Sequence, residues 1–300
     1  MLVWILQTGE PLNCDKKELR SMRAINLADA LLLRGHNVEI ISTRFFHQKK
    51  LFRKQPFKTF PKKNLTETLI SSTGYKKNKS LNRFIDHHVL FFTLSQYLVK
   101  HNDKPDLIFI GCPPLEWALA ASIYSYFKKI KIITDIKDLW PDIFWDYPSG
   151  SNFKKFILKI IFTPYRIYAS LIVTLSDYVT GPTIALANFF SKQYQNKLLS
   201  IIFNKRLPST FASPIVPPPE NSKIKINFRE KIDPKKCLNI FFLGSLMSVY
   251  DFQTVSKSLK LLDNKNFRYQ LFIAGKGGNE EEIKKLFKNS RNVEFLGWIN

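Results

Sequence analysis

Three aspartates share one short run, Asp135-Ile136-Lys137-Asp138-Leu139-Trp140-Pro141-Asp142, and two of them follow its strand. Asp138 and Asp142, on one loop beside an indole, can position a sugar hydroxyl or serve as a general base. They can equally cap the next helix or pair with nearby lysines. Glycine carries a second kind of chemistry. The apolar strand Leu2 to Leu6 runs into Gly9, then into a helical stretch from about Lys16 to Arg34 that closes on Gly35. Leu238 to Leu243 runs into Gly244, then into a helix from about Asp251 to Leu262. A strand, a glycine turn and a helix hold phosphates through backbone N–H groups at the helix N-terminus. Glu116 opens another helix after Pro113-Pro114, where a carboxylate also complements the helix dipole.

Behind these residues the chain keeps an α/β rhythm. Val38 to Ser42 reads as a strand, and a basic, irregular insertion follows to about Leu81. A helix is expected from Asn82 to Lys100, a strand from Asp106 to Ile110, a helix from Glu116 to Phe127 and a strand from Ile130 to Ile136. Next come a helix from about Asn152 to Ala169, a strand from Leu171 to Leu175 and a helix from Thr183 to Gln195. Ser209 to Lys236, with Pro214, Pro217, Pro218 and Pro219, has linker composition. The expected division is a first domain at 1–208, a linker at 209–236 and the first part of a second domain at 237–300. Parallel sheets bind ligands at the carboxyl ends of their strands, which is where Gly9, Asp138 and Gly244 fall.

Composition bounds the rest. With 45% apolar and 14% aromatic residues among 300, packed cores are expected and global disorder is excluded. Cys14, Cys112 and Cys237 have neither metal-ligand spacing nor a disulfide framework and fit a reducing cytosol. The longest apolar stretch, Phe156 to Leu175, is broken by Lys159, Pro164 and Arg166, so a soluble or peripheral protein is expected. The net charge of +22 suits an anionic surface, either lipid headgroups or nucleic acid. An A·T-rich genome, with abundant Lys, Ile, Asn and Phe, explains it equally well. Cations interleave with aromatics from Arg44 to Lys54 and in Phe153-Lys154-Lys155-Phe156. That pattern favours an interfacial lipid contact, and no RNA-module signature accompanies it.

Several segments together resemble retaining glycosyltransferases of family 4, in a branch that builds bacterial surface polysaccharides such as O-antigen or capsule. Gly9-Glu10-Pro11-Leu12, Arg20 with Met22-Arg23, and Arg34-Gly35-His36 are similar to the family's opening. Thr73 to Asn78, Ser80, Arg83 and Asp86-His87 resemble the stretch that follows in this branch, and Asp135 to Asp142 its most distinctive segment, with Lys137 where Arg is more usual. The resemblance implies a GT-B fold: two Rossmann-like domains facing across a cleft, the second incomplete. It implies a nucleotide-diphosphate sugar as donor, a lipid-linked or other saccharide as acceptor, retention of configuration, and no bound metal or cofactor. The implied place of work is the cytoplasmic face of the cell membrane, with no nucleic acid partner. Donor contacts are implied at Gly9, Glu10, Gly244, Ser245, Tyr250 and Lys276, acceptor-side contacts at Tyr75, Asn78, Arg83 and Glu116, and catalytic roles at Asp138 and Asp142.

Two departures qualify the resemblance. Where many members carry an Arg and a Lys on the diphosphate, this chain has Ser245 and Tyr250. Phosphate binding is therefore expected from backbone amides and Ser245, with Lys276 either the cation or a solvated turn residue. The family's donor-binding glutamate pair is expected downstream of Phe295 to Trp298, where the sequence stops at Asn300. The expectation is thus a truncated product, or one completed by a separate chain, with weak or no activity alone. Beside the transferase stand two other classes: a non-catalytic remnant that binds acceptor and membrane, and a basic nucleic-acid-binding protein favoured by charge alone.

Overall fold

The computed structural model describes residues 1–15, 21–78, 80–142, 152–212, 237–247 and 250–299. They belong to two compact units, Met1–Pro218 and Pro219–Asn300.

The first unit is organised by β1 (Leu2–Leu6) at the centre of its sheet. Val3, Trp4, Ile5 and Leu6 are all buried, because a strand covered on both faces needs apolar residues in succession. Their alternation divides the core in two. Val3 and Ile5 meet Ala24, Ile25 and Ala28 of α1 (Arg23–Leu33). Trp4 and Leu6 face a larger cluster built by α2 (Leu81–Lys100) and α3 (Leu115–Lys128). Leu90, Leu94 and Leu98 form the buried stripe of α2, and each contributes roughly 2 kcal/mol by leaving water.

Around β1 the sheet adds β2 (Asn37–Thr43) and β6 (Leu65–Ile70) on one side. On the other side it adds β7 (Leu107–Cys112), β8 (Lys131–Ile136), β9 (Tyr178–Gly181) and β10 (Ser209–Ala212). These pairings are parallel. β5 (Lys58–Lys62) closes one edge antiparallel to β6. The order β10-β9-β8-β7-β1-β2-β6-β5 reverses its direction of growth between β1 and β7. The crevice at that point, outside the strands' carboxyl ends, is where such sheets take ligands.

Three expectations are corrected here. The insertion after β2 is ordered: β3 (Phe45–Phe46) and β4 (Leu51–Phe52) form a hairpin, and β5 and β6 extend the main sheet. The β6 signal is hidden because Glu67 and Thr68 are buried polar residues within it. The stretch 171–175 is helical, not a strand. The chain from Asn152 forms two helices, α4 (Asn152–Ile161) and α5 (Thr163–Leu175), and the strand is β9. Pro164 near the start of α5 cannot donate to the preceding turn. A helix buried at Ile172, Val173 and Leu175 shows the same apolar run as a buried strand. Ser209–Ala212, read as linker, pairs with β9. Between β9 and β10 lie α6 (Ile184–Tyr194) and α7 (Lys197–Ile202), each capped by the residue before it, Thr183 and Asn196.

The linker beyond Ala212 up to Lys236, Arg20, the onset of the first helix at Lys16, and Ser248 with Val249 lie outside the described residues.

The second unit holds β11 (Leu238–Leu243), α8 (Phe252–Asn264), β12 (Tyr269–Ala274), α9 (Glu280–Leu286) and β13 (Val293–Gly297). Its three strands are parallel in the order β11-β12-β13. Leu271 and Ile273 pack with Phe252, Leu259 and Ile283. On the sheet's other face Phe241 stacks on Phe272 at 4.9 Å, and Phe241 and Leu243 stay 69% and 77% exposed. Asp251 caps α8, its Oδ1 accepting from the Thr254 N–H at 3.0 Å.

Among the described residues no helix is long and apolar enough to cross a membrane. Part of the basic-aromatic run 44–54 faces inward: Phe45, Phe46 and Arg53 are buried. In α4, by contrast, Phe153, Phe156, Ile157, Ile160 and Ile161 form one exposed stripe, while Leu158 packs against the core.

Candidate functional site

In the first unit a pocket of about 220 Å³ opens at the switch point. Its floor is Gln7, Thr8, Gly9 and Glu10 after β1, with Pro113 and Pro114 after β7. His47 and Tyr75 come from the segments around the hairpin, Arg83 and His87 from α2, and Lys137 and Asp138 from the loop after β8. Gly9 holds φ +76°, a left-handed conformation that a residue with a Cβ adopts at a cost.

The floor is pinned by ion pairs. Glu10 is buried; one carboxylate oxygen accepts from the Ala24 N–H at 2.9 Å, satisfying a free donor at the start of α1. The other accepts from Lys137. Arg53 donates to Asp15 at 2.7 Å, to the Thr43 carbonyl at 2.6 Å and to the Glu10 carbonyl at 2.9 Å. Arg23 reaches Asp135 at 2.7 Å, and the Thr180 hydroxyl donates to the same oxygen at 2.9 Å. Burial raises the Asp135 carboxyl above its ordinary range, against the pull of Arg23.

The wall carries aromatic rings and cations. The Tyr75 hydroxyl and His47 Nδ1 share a hydrogen bond. Lys50 Nζ lies 4.4 Å from the Tyr75 ring centre and donates to Asn78 Oδ1 at 2.5 Å. The Arg83 guanidinium lies 5.6 Å from Tyr75 and 5.0 Å from Trp140. Burial, then Lys50 and Arg83, lower His47 to about 4; burial, then Arg83, lower His87 to about 3. Both imidazoles are therefore neutral at pH 7. Behind His87 sits Glu116, 1% exposed, with Oε2 3.6 Å from His87 Nδ1 and Oε1 3.6 Å from His88 Nδ1. Burial raises the Glu116 carboxyl.

The expected site residues thus part company. Gly9, Tyr75, Arg83 and Asp138 converge on one pocket, and Asn78 braces its cations. Glu10 lines the pocket, but its carboxylate is committed to α1 and Lys137. Glu116 is a buried second layer. Asp142, 4% exposed, lies outside the pocket lining, so the two aspartates do not share one face. His47, Lys50 and His87 were missed as site residues. Arg83, His87 and Leu90 fall at helical spacing on one face of α2, a signal that pointed to His87.

In the second unit, Gly244 and Gly275 bring the ends of β11 and β12 together. A Cβ on Gly275 (φ +137°) would lie 1.8 Å from the Gly244 carbonyl oxygen, and one on Gly277 2.1 Å from that of Leu246. Two bare backbones in contact need glycine. Ser245 and Lys276 are exposed beside them. Tyr250 is held edge-on to Phe242 at 5.2 Å and borders a separate hollow with Asp251 and Ile283.

The first unit is a doubly wound sheet with a glycine turn at its switch point and the second a parallel β/α unit with glycine turns of its own; with the solved structures that match them, the fold is GT-B. Among solved structures, sucrose-phosphate synthase from Thermosynechococcus elongatus matches 100% of this chain and 71% of its own at TM-score 0.60 and 9% identity. The catalytic domain of starch synthase IV from Arabidopsis thaliana, bound to ADP and acarbose, matches 100% and 74% at 0.57 and 12%. Anabaena HepE in complex with UDP matches 99% and 69% at 0.50 and 10%. No protein-family model and no curated protein matches the chain.

Proposed function

We propose that this chain is a glycosyltransferase that takes a sugar from a nucleotide-diphosphate donor and passes it to a saccharide acceptor. The observation that carries this reading is the switch-point pocket itself, where Gly9 opens the backbone and Asp138 stands exposed at the lip. Nucleoside diphosphates in the starch synthase and HepE structures support a donor of that kind. On this reading the bond between the sugar's anomeric carbon and the diphosphate breaks and a glycosidic bond to an acceptor hydroxyl forms. Asp138 accepts a hydrogen bond from that hydroxyl and raises its nucleophilicity. Retention of configuration and a role in surface polysaccharide synthesis rest on the resemblance of residues 135–142 and of the first loop.

The acceptor is proposed to be lipid-linked, at the inner membrane face. The exposed stripe of α4 supports this, because five large apolar side chains turned to water favour an interface. Co-sedimentation with anionic vesicles, lost in F156S/I160S, tests the membrane part; salt-sensitive retention of RNA without vesicle binding supports the nucleic-acid class instead.

The test of the central reading is a panel of labelled nucleotide sugars offered to the full chain with membrane extract as acceptor. Transfer that falls about a hundredfold in D138N supports it. Donor binding without transfer supports a non-catalytic acceptor-binding protein, and no nucleotide-sugar binding rejects the proposal.

A further inference from the structure

We propose that Lys50, Arg83 and His47, gathered around the Tyr75 ring, form a receptor for a tetrahedral oxyanion, namely the phosphate of a phosphate- or diphosphate-bearing ligand.

Three other cations around the pocket have carboxylate partners: the buried Arg53 has Asp15, and the partly buried Arg23 and Lys137 have Asp135 and Glu10. Among the described residues, Lys50 and Arg83 are in no ion pair. Their oxygen contacts come from one neutral residue, Asn78, whose Oδ1 accepts from Lys50 at 2.5 Å and whose carbonyl accepts from Arg83 at 3.2 Å. Arg83 Nε is buried with no hydrogen-bond partner. Lys50 Nζ also stands 3.0 Å from His47 Nδ1.

Two half-buried cations brought together without a counter-ion repel each other, and an anion between them relieves that. Lys50 shows the repulsion: burial, then Arg83, lower its affinity for its proton. The acids around them form no ion pair with either cation: Glu116, whose charged form Arg83 favours, lies buried behind His87. Asp86 accepts from the Gly74 N–H at 2.6 Å and the Thr73 hydroxyl at 3.0 Å. Glu10 is committed to Lys137, and Asp138 is exposed at the lip. The donors are a fork, a point charge and a ring N–H that converge from a helix and a hairpin. That arrangement suits three oxygens of a phosphate better than the two of a carboxylate. The site stands without the transferase reading. Only the choice of source, the donor's diphosphate or the phosphate of a lipid-linked acceptor, rests on it.

The experiment is calorimetric titration of the full chain with inorganic pyrophosphate at fixed ionic strength. R83Q and K50Q are compared with K104Q, an exposed lysine that removes the same charge. Expected is binding weakened about tenfold or more in R83Q and K50Q and unchanged within about twofold in K104Q. R83K, which keeps the charge but loses the fork, should fall between and guards against a misfolded R83Q. Equal losses in R83Q and K104Q, or no binding by the wild type, overturn the site. UDP and farnesyl diphosphate are then used as competitors. Displacement by UDP assigns the site to the donor and displacement by farnesyl diphosphate to a lipid-linked acceptor, while displacement by neither overturns a phosphate-ester ligand. A chain that binds pyrophosphate at this site yet transfers no sugar removes the transferase reading alone.

Discussion

The two units solve the same problem, holding loops still at the ends of parallel strands, by different physics. In the first unit the loops are held by buried side chains: Glu10, Arg53, Asp135 and Glu116 sit beneath the pocket with their charges balanced in pairs or partly neutralised by burial. In the second, the buried side chains are hydrophobic and the loops are held by backbone on backbone, Gly275 on Gly244 and Gly277 on Leu246. A side-chain scaffold is tunable and sensitive to charge. A backbone scaffold is indifferent to charge and intolerant of a single methyl group.

Four experiments can break or sharpen this contrast. Arg53→Met should have the largest effect, about 3–5 kcal/mol, because it strands Asp15 in a buried setting. Urea unfolding measures it, and a loss below about 1 kcal/mol breaks the charge-held picture of the first unit. Gly275→Ala should cost about 3 kcal/mol, since its methyl would sit 1.8 Å from the Gly244 oxygen. Hydrogen exchange should show faster exchange in β11 and β12 alone, and unchanged protection there means the contact does not hold the turn.

A graded effect of pH comes third. His47 and His87 have folded pKa values lowered to about 4 and about 3 from 6.5. The unfolded chain therefore binds more protons as pH falls, so their contribution is complete above about pH 6.5 and is lost towards pH 4 and below. The thermal midpoint of the first unit should drop over that window, less steeply in H47Q/H87Q; a parallel drop in both proteins assigns the effect to other groups. The smallest effect is Asp251→Ala, which loses the α8 cap and should lower the unfolding midpoint only slightly. It should be seen by denaturation and be nearly independent of salt, while salt sensitivity would blur the contrast between the units.

The same contrast explains what was readable in advance. Backbone features announce themselves by residue type, so Gly9, Gly244, the Asp251 start of α8 and the Thr183 start of α6 were legible one residue at a time. Side-chain scaffolds are assembled from distant positions. Nothing local to Arg53 reveals that its partner is Asp15, and Lys50 and His47 look like surface residues of a basic run until the hairpin folds them against α2. β6 was illegible because Glu67 and Thr68 are buried polar residues. Glu67 there accepts from the Asn13 N–H at 2.9 Å and its side-chain amide at 2.8 Å. The residues 171–175 misled because an apolar run of that length does not distinguish strand from buried helix.

The knot formed by Glu10, Lys137 and Ala24 has a consequence for how this protein can change over generations. Glu10 holds the start of α1 and the loop after β8 with one carboxylate oxygen each way, so neither Glu10 nor Lys137 can drift alone without leaving the other stranded. Substitutions at these two positions should be inherited as pairs, and Glu10→Gln with Lys137→Met should be better tolerated than either change by itself. The sequence freedom of the pocket floor is therefore that of the pair and not of either residue alone.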